Sequence, residues 1–165
     1  HVRSRRQRQM CIRDSGDLVT IDFGAHLRGF NSDCTRTYVV GTANDFAKEI
    51  YDVVLRAQKA GVAASVPGAK LADVDAACRD VISAAGYGDY FVHSTGHGVG
   101  LDVHEAPSAA QTGQGELAAG MTLTIEPGIY VPGKGGVRIE DTLIITDGAP
   151  RIITAATKEF TELPA

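Results

Sequence analysis

Three of the chain's five histidines, His93, His97 and His104, fall in one stretch, FVHSTGHGVGLDVHEAP, over residues 91–107. Imidazole is the commonest neutral metal ligand and the usual proton carrier near pH 7. Gly96, Gly98 and Gly100 interleave the histidines, and glycine lets a backbone pass close to an ion or a substrate. A single histidine in such a turn reads most simply as a surface side chain. Four carboxylates weigh against that reading here. Asp22 in TIDFG, Asp33 in NSDCT, Glu126 in TIEPG and Glu140 in RIEDT each sit in or at the edge of an apolar run, where a charge needs a partner or a metal. One acid at a strand end is ordinarily a solvated turn residue. Four of them, accompanied by a glycine-bracketed histidine, form a candidate site.

Four carboxylates and one imidazole can bridge two divalent ions about 3.5–4 Å apart and share a hydroxide between them. This oxygen-rich donor set suits Mn²⁺, Co²⁺, Fe²⁺ or Zn²⁺, and the lack of a thiolate disfavours a structural zinc site. Asp22 and Asp33 are expected to face each other across a hairpin, with the strands of Glu126 and Glu140 completing the cage. Paired carboxylates also serve glycoside hydrolysis, but that chemistry gives no role to His97.

The elements that must position these groups follow from apolar periodicity. Residues 16–24 and 32–40 read as the strands of a hairpin around a turn at 25–31. Residues 44–64 carry Phe46, Ile50, Val53, Val54 and Ala57 at helical spacing, with Asn44 or Asp45 as cap and Gly61 weakening the far end. A second helix is expected from Leu71 to about Ala85, ended by Gly86. Residues 121–131 and 137–145 read as two further strands, and 151–154 as a short last one. The order predicts an α+β fold, a mostly antiparallel sheet covered on one face by helices.

Composition narrows the class. A net charge of −4 without a basic stripe beyond the first residues argues against a nucleic-acid surface. No apolar run approaches the roughly 20 residues of a membrane span. Cys11, Cys34 and Cys78 form no CxxC pair, which suits a reducing, cytoplasmic setting. Residues 1–15 hold Arg3, Arg5, Arg6, Arg8 and Arg13 and no signal-peptide run. They read as an unrelated basic segment, artefactual or disordered, ahead of a domain over 16–165.

Together, DFG separated by eight residues from Asp33, STGHGVGLDVHEAP, TIEPGIYVPGKGG and GVRIEDT resemble the pita-bread metallopeptidase family. That family includes methionine aminopeptidases, Xaa-Pro aminopeptidases, prolidases and creatinase. The resemblance covers about 16–163 and implies the pita-bread fold, with a curved sheet. It implies that Asp22, Asp33, His97, Glu126 and Glu140 bind two divalent metal ions, with Mn²⁺ the leading choice. No ligand is missing, whereas creatinase-like members lack the set. His93 and His104 match histidines that contact substrate and stabilise the tetrahedral intermediate. Arg138 and Tyr130 match residues on the substrate side.

Within the family the motifs are most similar to the Xaa-Pro aminopeptidase and prolidase branch. Methionine aminopeptidases typically lack His93 and the arginine of GVRIE, and often carry Cys where this chain has Thr95. The implied reaction is hydrolysis of the bond between an N-terminal residue and a following proline; methionine removal is the alternative enzyme. Asp33 and Glu140 would bridge the ions. Glu126 would relay the water's proton to the leaving nitrogen, His104 would hydrogen-bond the carbonyl or oxyanion, and His93 would line the proline side. The substrate's α-amino group would approach near Asp22.

Family members also carry a segment before DFGA with two helices, a strand and a substrate-handling histidine. About seventeen residues before Asp22 this chain has Arg5. The first part of the fold is therefore expected to be missing, with apolar surface exposed that a homodimer would cover. The non-enzyme alternative is an inactive fragment or a metal-binding interaction module.

Overall fold

A computed structural model of the chain describes residues 15–164. The expected basic segment, Ser15 excepted, and Arg5 with it, lies outside the described residues. None of the described helices is long and apolar enough to cross a membrane.

Two helices form where the apolar spacing places them. Helix α1 spans Asp45–Ala64, and its N-cap Asn44 accepts a hydrogen bond from the Ala47 amide at 2.8 Å. Ile50, Val53, Val54 and Ala57 form its buried face. Gly61 marks a close approach more than a weak end, because a Cβ there would collide with the Cys78 sulfur and meet Ile125 Cγ2 at 2.8 Å. Helix α2 spans Leu71–Ala84 and buries Leu71, Val74, Cys78 and Ile82. It ends as expected at Gly86, whose φ is +85°. The Gly86 amide donates to Ser83 O and the Tyr87 amide to Ile82 O, a Schellman closure that satisfies carbonyls the helix leaves open.

The strands pair mostly antiparallel. Strand β1 (Leu18–Phe23) runs against β4 (Cys34–Val40), with Asp22 opposite Thr35. Between them β2 (His26–Leu27) and β3 (Phe30–Asn31) close a small hairpin. Arg28 and Gly29 at its tip both have positive φ, the requirement of a type I′ turn. Strand β5 (Gly96–Gly98) pairs with β6 (Glu105–Ala109), and the register shifts after His97.

Each of the two strands expected over 121–131 and 137–145 breaks at its glutamate. The first divides into β7 (Thr122–Ile125) and β8 (Gly128–Val131), the second into β9 (Gly135–Arg138) and β10 (Asp141–Ile144). Strand β8 pairs with β9, and β7 with β10. Pro127 has no N–H to offer the ladder, and the two arms kink at the same level. The Glu126 and Glu140 amides then bond across to Thr95 O at 2.8 Å and Thr35 O at 3.1 Å. Strand β11 (Arg151–Ile152) flanks β10, and β12 (Glu162–Leu163) lies parallel to β4.

The core lies between the helices and one sheet face, where Ile50, Val54, Val74, Cys78 and Ile82 meet Leu123, Ile125, Ile129, Val137, Ile139 and Leu143. Each fully buried aliphatic side chain contributes about 1.5–3 kcal/mol through burial. Residues two apart on a strand share a face, so the polar alternates of these strands are left for a site. The α+β class and the helix-covered, mostly antiparallel pairing agree with the expectation.

Candidate metal centre

The kinks and the bulge bring the sequence-distant acids together. A cleft of about 380 Å³ is lined by Asp22, Asp33, His97, His104, Glu126 and Glu140 among others. Asp33 precedes β4, His97 is the middle residue of β5, and the two glutamates stand at the breaks. One ligand atom each from Asp33, His97 and Glu140 lie within 4.8 Å of one another. His97 Nε2 is 3.1 Å from Glu126 Oε1 and 3.7 Å from Asp33 Oδ2. Asp22 sits at the mouth, its side chain 54% exposed. The ring of His104 lies against that of His97, with centroids 4.1 Å apart.

The glycines around His97 act on neighbouring backbone. A Cβ on Gly96 would strike the carbonyl of Thr124, and one on Gly98 that of Ala106. They let β5 press against β7 and β6, which sets the depth of His97. His97 Nδ1 lies 2.9 Å from Gly98 O; a proton held there leaves Nε2, the nitrogen facing the carboxylates, as the one that would bind a metal once it gives up its own proton.

The electrostatics describe a cluster too rich in negative charge to stand alone. Burial, then the charge of Glu126, pushes the Glu140 carboxyl up to about 8, against the hydrogen bond from Thr35. Burial, then Asp22 and Glu126, also raises Asp33. Burial pulls His97 down, but its hydrogen bonds with Glu126 and Gly98 outweigh that and push it up to about 9. Glu140 Oε2 accepts from Thr35 Oγ1 at 2.6 Å, while Oε1 is buried with no hydrogen-bond partner. An unpaired acceptor in a buried carboxylate, beside three more acids and an imidazole, is what a coordinating cation satisfies. The donor set fits divalent metal.

His93, Tyr130 and Arg138 do not line the cleft. His93 borders a separate hollow with Arg79, Phe91, Ser94 and Gln111. Its Nε2 lies 3.2 Å from Tyr130 OH, which accepts from Arg138 Nη1 at 2.8 Å. Arg138 completes the chain by donating from Nη2 to Asp22 and from Nε to Thr35 Oγ1 at 3.2 Å. Asp141, next to Glu140, points the other way. It is fully buried and receives Arg36 Nη2 at 2.8 Å, Gln58 Nε2 at 2.9 Å, Thr154 Oγ1 at 2.6 Å and the Lys158 ammonium.

Two threonines escaped the sequence reading. Thr35 holds Glu140. The Thr124 hydroxyl accepts from the His97 amide at 2.9 Å and donates to Glu126 Oε1 at 3.0 Å. Each stands two residues from a candidate ligand acid, Asp33 or Glu126, so the strand period alone would have pointed to them. His26, read only as part of a turn, also lines the cleft.

Comparison with known proteins agrees with this picture. The sequence profile of metallopeptidase family M24 matches residues 1–147, and the chain belongs to that family. The Xaa-Pro dipeptidase of Pyrococcus furiosus is 51% identical over 147 residues, 89% of this chain and 42% of its own length. The solved structure of the Xaa-Pro dipeptidase from Bacillus anthracis superposes with a TM-score of 0.89 at 51% identity, over 91% of this chain and 42% of that one. The X-Pro aminopeptidase from Thermotoga maritima gives 0.88 at 35% identity, over 91% and 43%. These neighbours bear out the pita-bread fold. The chain spans about two fifths of the length of the relatives it matches.

Proposed function

We propose that this chain carries the active centre of a dinuclear-metal peptidase that cleaves the bond between an N-terminal residue and a following proline, as a prolidase or an Xaa-Pro aminopeptidase. The observation that carries the reading is the convergence of Asp33, His97 and Glu140, with Glu126 against His97, an unpaired oxygen on Glu140 and Asp22 at the mouth. Relatives bearing the names Xaa-Pro dipeptidase and X-Pro aminopeptidase support the choice of bond. Five donors from four carboxylates and an imidazole suit two ions, Mn²⁺ first and Co²⁺, Zn²⁺ or Fe²⁺ next. When bound, such ions lower the pKa of a water molecule and polarise the substrate carbonyl.

The protein's own groups do the rest. Glu126 Oε1, beside His97 and steadied by the Thr124 hydroxyl, takes a proton from the attacking water and returns it to the leaving imide nitrogen. His104, at the cleft wall, hydrogen-bonds the carbonyl oxygen as negative charge develops on it. The substrate's α-amino group lies near the exposed Asp22 carboxylate, so only free N-termini are aligned. His93 acts through Tyr130 and Arg138 on Asp22. Cys34 and Cys78 are free and buried, in keeping with a reducing, cytoplasmic setting. Ile21, Phe23, Leu27, Phe30 and Leu101 are exposed apolar groups, and a second copy covering them would make a homodimer. A monomer by sedimentation would exclude that pairing.

The test is release of the N-terminal residue from Xaa-Pro and Xaa-Pro-Yaa peptides with added Mn²⁺, beside a Met-Ala-Yaa peptide and the Glu126→Gln variant. Cleavage before proline that depends on metal and drops about 10²–10⁴-fold in the variant supports the assignment. Cleavage of the methionine peptide alone would replace it by methionine removal. Metal binding without turnover of any peptide would leave a metal-binding module.

A further inference from the structure

We infer that Asp75 and Arg79, a pair on α2 that touches none of the ligand side chains, are positioning residues for the metal centre and act through Thr95. The inference rests on the metal-centre reading above. Asp75 is fully buried. Its Oδ1 accepts from both the amide and the hydroxyl of Thr95, at 3.1 and 2.9 Å. Arg79 closes a fork on the same carboxylate, with Nε 2.8 Å from Oδ2 and Nη2 3.1 Å from Oδ1. The remaining guanidinium bonds go to Phe91 O at 2.9 Å and His93 O at 3.0 Å, with the cation 4.1 Å above the Phe91 ring. One ion pair on a helix therefore holds the backbone of 91–95 at three residues.

Thr95 passes that constraint on. Its carbonyl accepts the Glu126 amide at 2.8 Å, and His97 follows two residues later. Gly96 between them leaves no slack, since even a Cβ added there would collide with the Thr124 carbonyl. The depth of His97 and the departure of Glu126 from its strand are thus referred to α2. A buried ion pair is a poor device for adhesion alone, because well-packed apolar groups usually hold elements together at least as well. Charge-assisted, forked hydrogen bonds supply direction, and metal ligands lose affinity when their supports are removed.

The test is calorimetric Mn²⁺ titration of the whole chain at fixed pH, with urea unfolding run in parallel. Asp75→Asn places an N–H₂ where a carboxylate oxygen accepted, facing either Arg79 or Thr95. Thr95→Val removes only the hydroxyl donor, Thr95→Ser restores it, and Val74→Ala trims a buried neighbour on the same helix. Asp75→Asn and Thr95→Val are expected to weaken Mn²⁺ binding about tenfold or more. Thr95→Ser should stay within about twofold, and Val74→Ala should lower the urea midpoint at an unchanged Mn²⁺ Kd. If Asp75→Asn does not fold, the Thr95 pair decides alone. A folded Asp75→Asn protein, or Thr95→Val, with Kd within about twofold of wild type overturns the inference, as does an equal loss in Val74→Ala. A wild-type chain that binds no Mn²⁺ overturns the metal-centre reading and this inference with it.

Discussion

Arg138 and Asp22 stand 116 residues apart, and Nη2 of the one lies 2.5 Å from Oδ2 of the other. The same guanidinium donates to Tyr130 and to Thr35, and Thr35 donates to Glu140. One guanidinium thereby orients a candidate ligand acid on each side of the cluster, Asp22 directly and Glu140 through Thr35. Its planar fork serves three acceptors at fixed angles, which an ammonium cannot do.

Arg138→Lys is therefore expected to keep the fold and lose roughly 10–100-fold in peptidase activity or metal affinity. Tyr130→Phe, which removes one of the three acceptors of Arg138 and the link to His93 but leaves the bonds to Asp22 and Thr35, should cost less. Circular dichroism with a metal titration and a proline-peptide assay checks both. Equal activity in Arg138→Lys would show that charge alone suffices at this position.

Thr35→Val removes the donor that holds Glu140 Oε2 and favours its ionised form. The Glu140 carboxyl should then rise further, so Mn²⁺ binding in the variant should require a higher pH than in wild type. Thr35→Ser should restore the wild-type profile. Titrations at several pH values across about 6–9 test this, and coincident profiles for Val and wild type would contradict it.

The metal-free chain should be less stable in alkali. Glu140 is raised from 4.5 to about 8, so the folded state holds its proton more tightly than the unfolded chain. Stability is thus lost as pH climbs from about 4.5 toward 8. His97 is raised from 6.5 to about 9, and its contribution, complete below 6.5, is lost as pH passes through 9. Both slopes have the same sign. Without metal the melting temperature should fall by at least about 5 °C between pH 6 and 9. Saturating Mn²⁺, which competes with those protons, should stabilise most at the alkaline end. A flat metal-free profile would refute the prediction.

Gly96→Ala should be costly although alanine is small. The added carbon meets a backbone carbonyl, that of Thr124, and backbone cannot rotate aside as a side chain can. A loss of at least about 2 kcal/mol in urea unfolding is expected, together with weakened Mn²⁺ binding. Gly115→Ala tests the contrast: φ is +91° there with nothing within 4 Å of the added carbon, so only backbone strain of about 1 kcal/mol applies.

The sequence by itself determined the two helices, because their signals are local. Apolar residues recur every three to four positions, Asn44 caps α1, and Gly86 supplies the left-handed turn that ends α2. It also determined the chemical identity of the candidate ligands, since four acids in or beside apolar runs, together with a glycine-bracketed histidine, stand out as a set where one alone would not. Pro127 and Gly128 signal a bend after Glu126, but the matching break at Glu140, and where the two amides go, were not legible. An alternating pattern reports which face a side chain takes, and says nothing of which strand will receive its amide. Those amides bond Thr95 and Thr35, and the acceptor in each case lies outside the hairpin the glutamate belongs to. The Arg138 fork, the placing of His93 in its own hollow, and the burial of Asp141 against Arg36 and Lys158 were likewise decided by tertiary structure. Each is a contact between residues far apart in the chain, and such a contact exists only once every intervening element has packed.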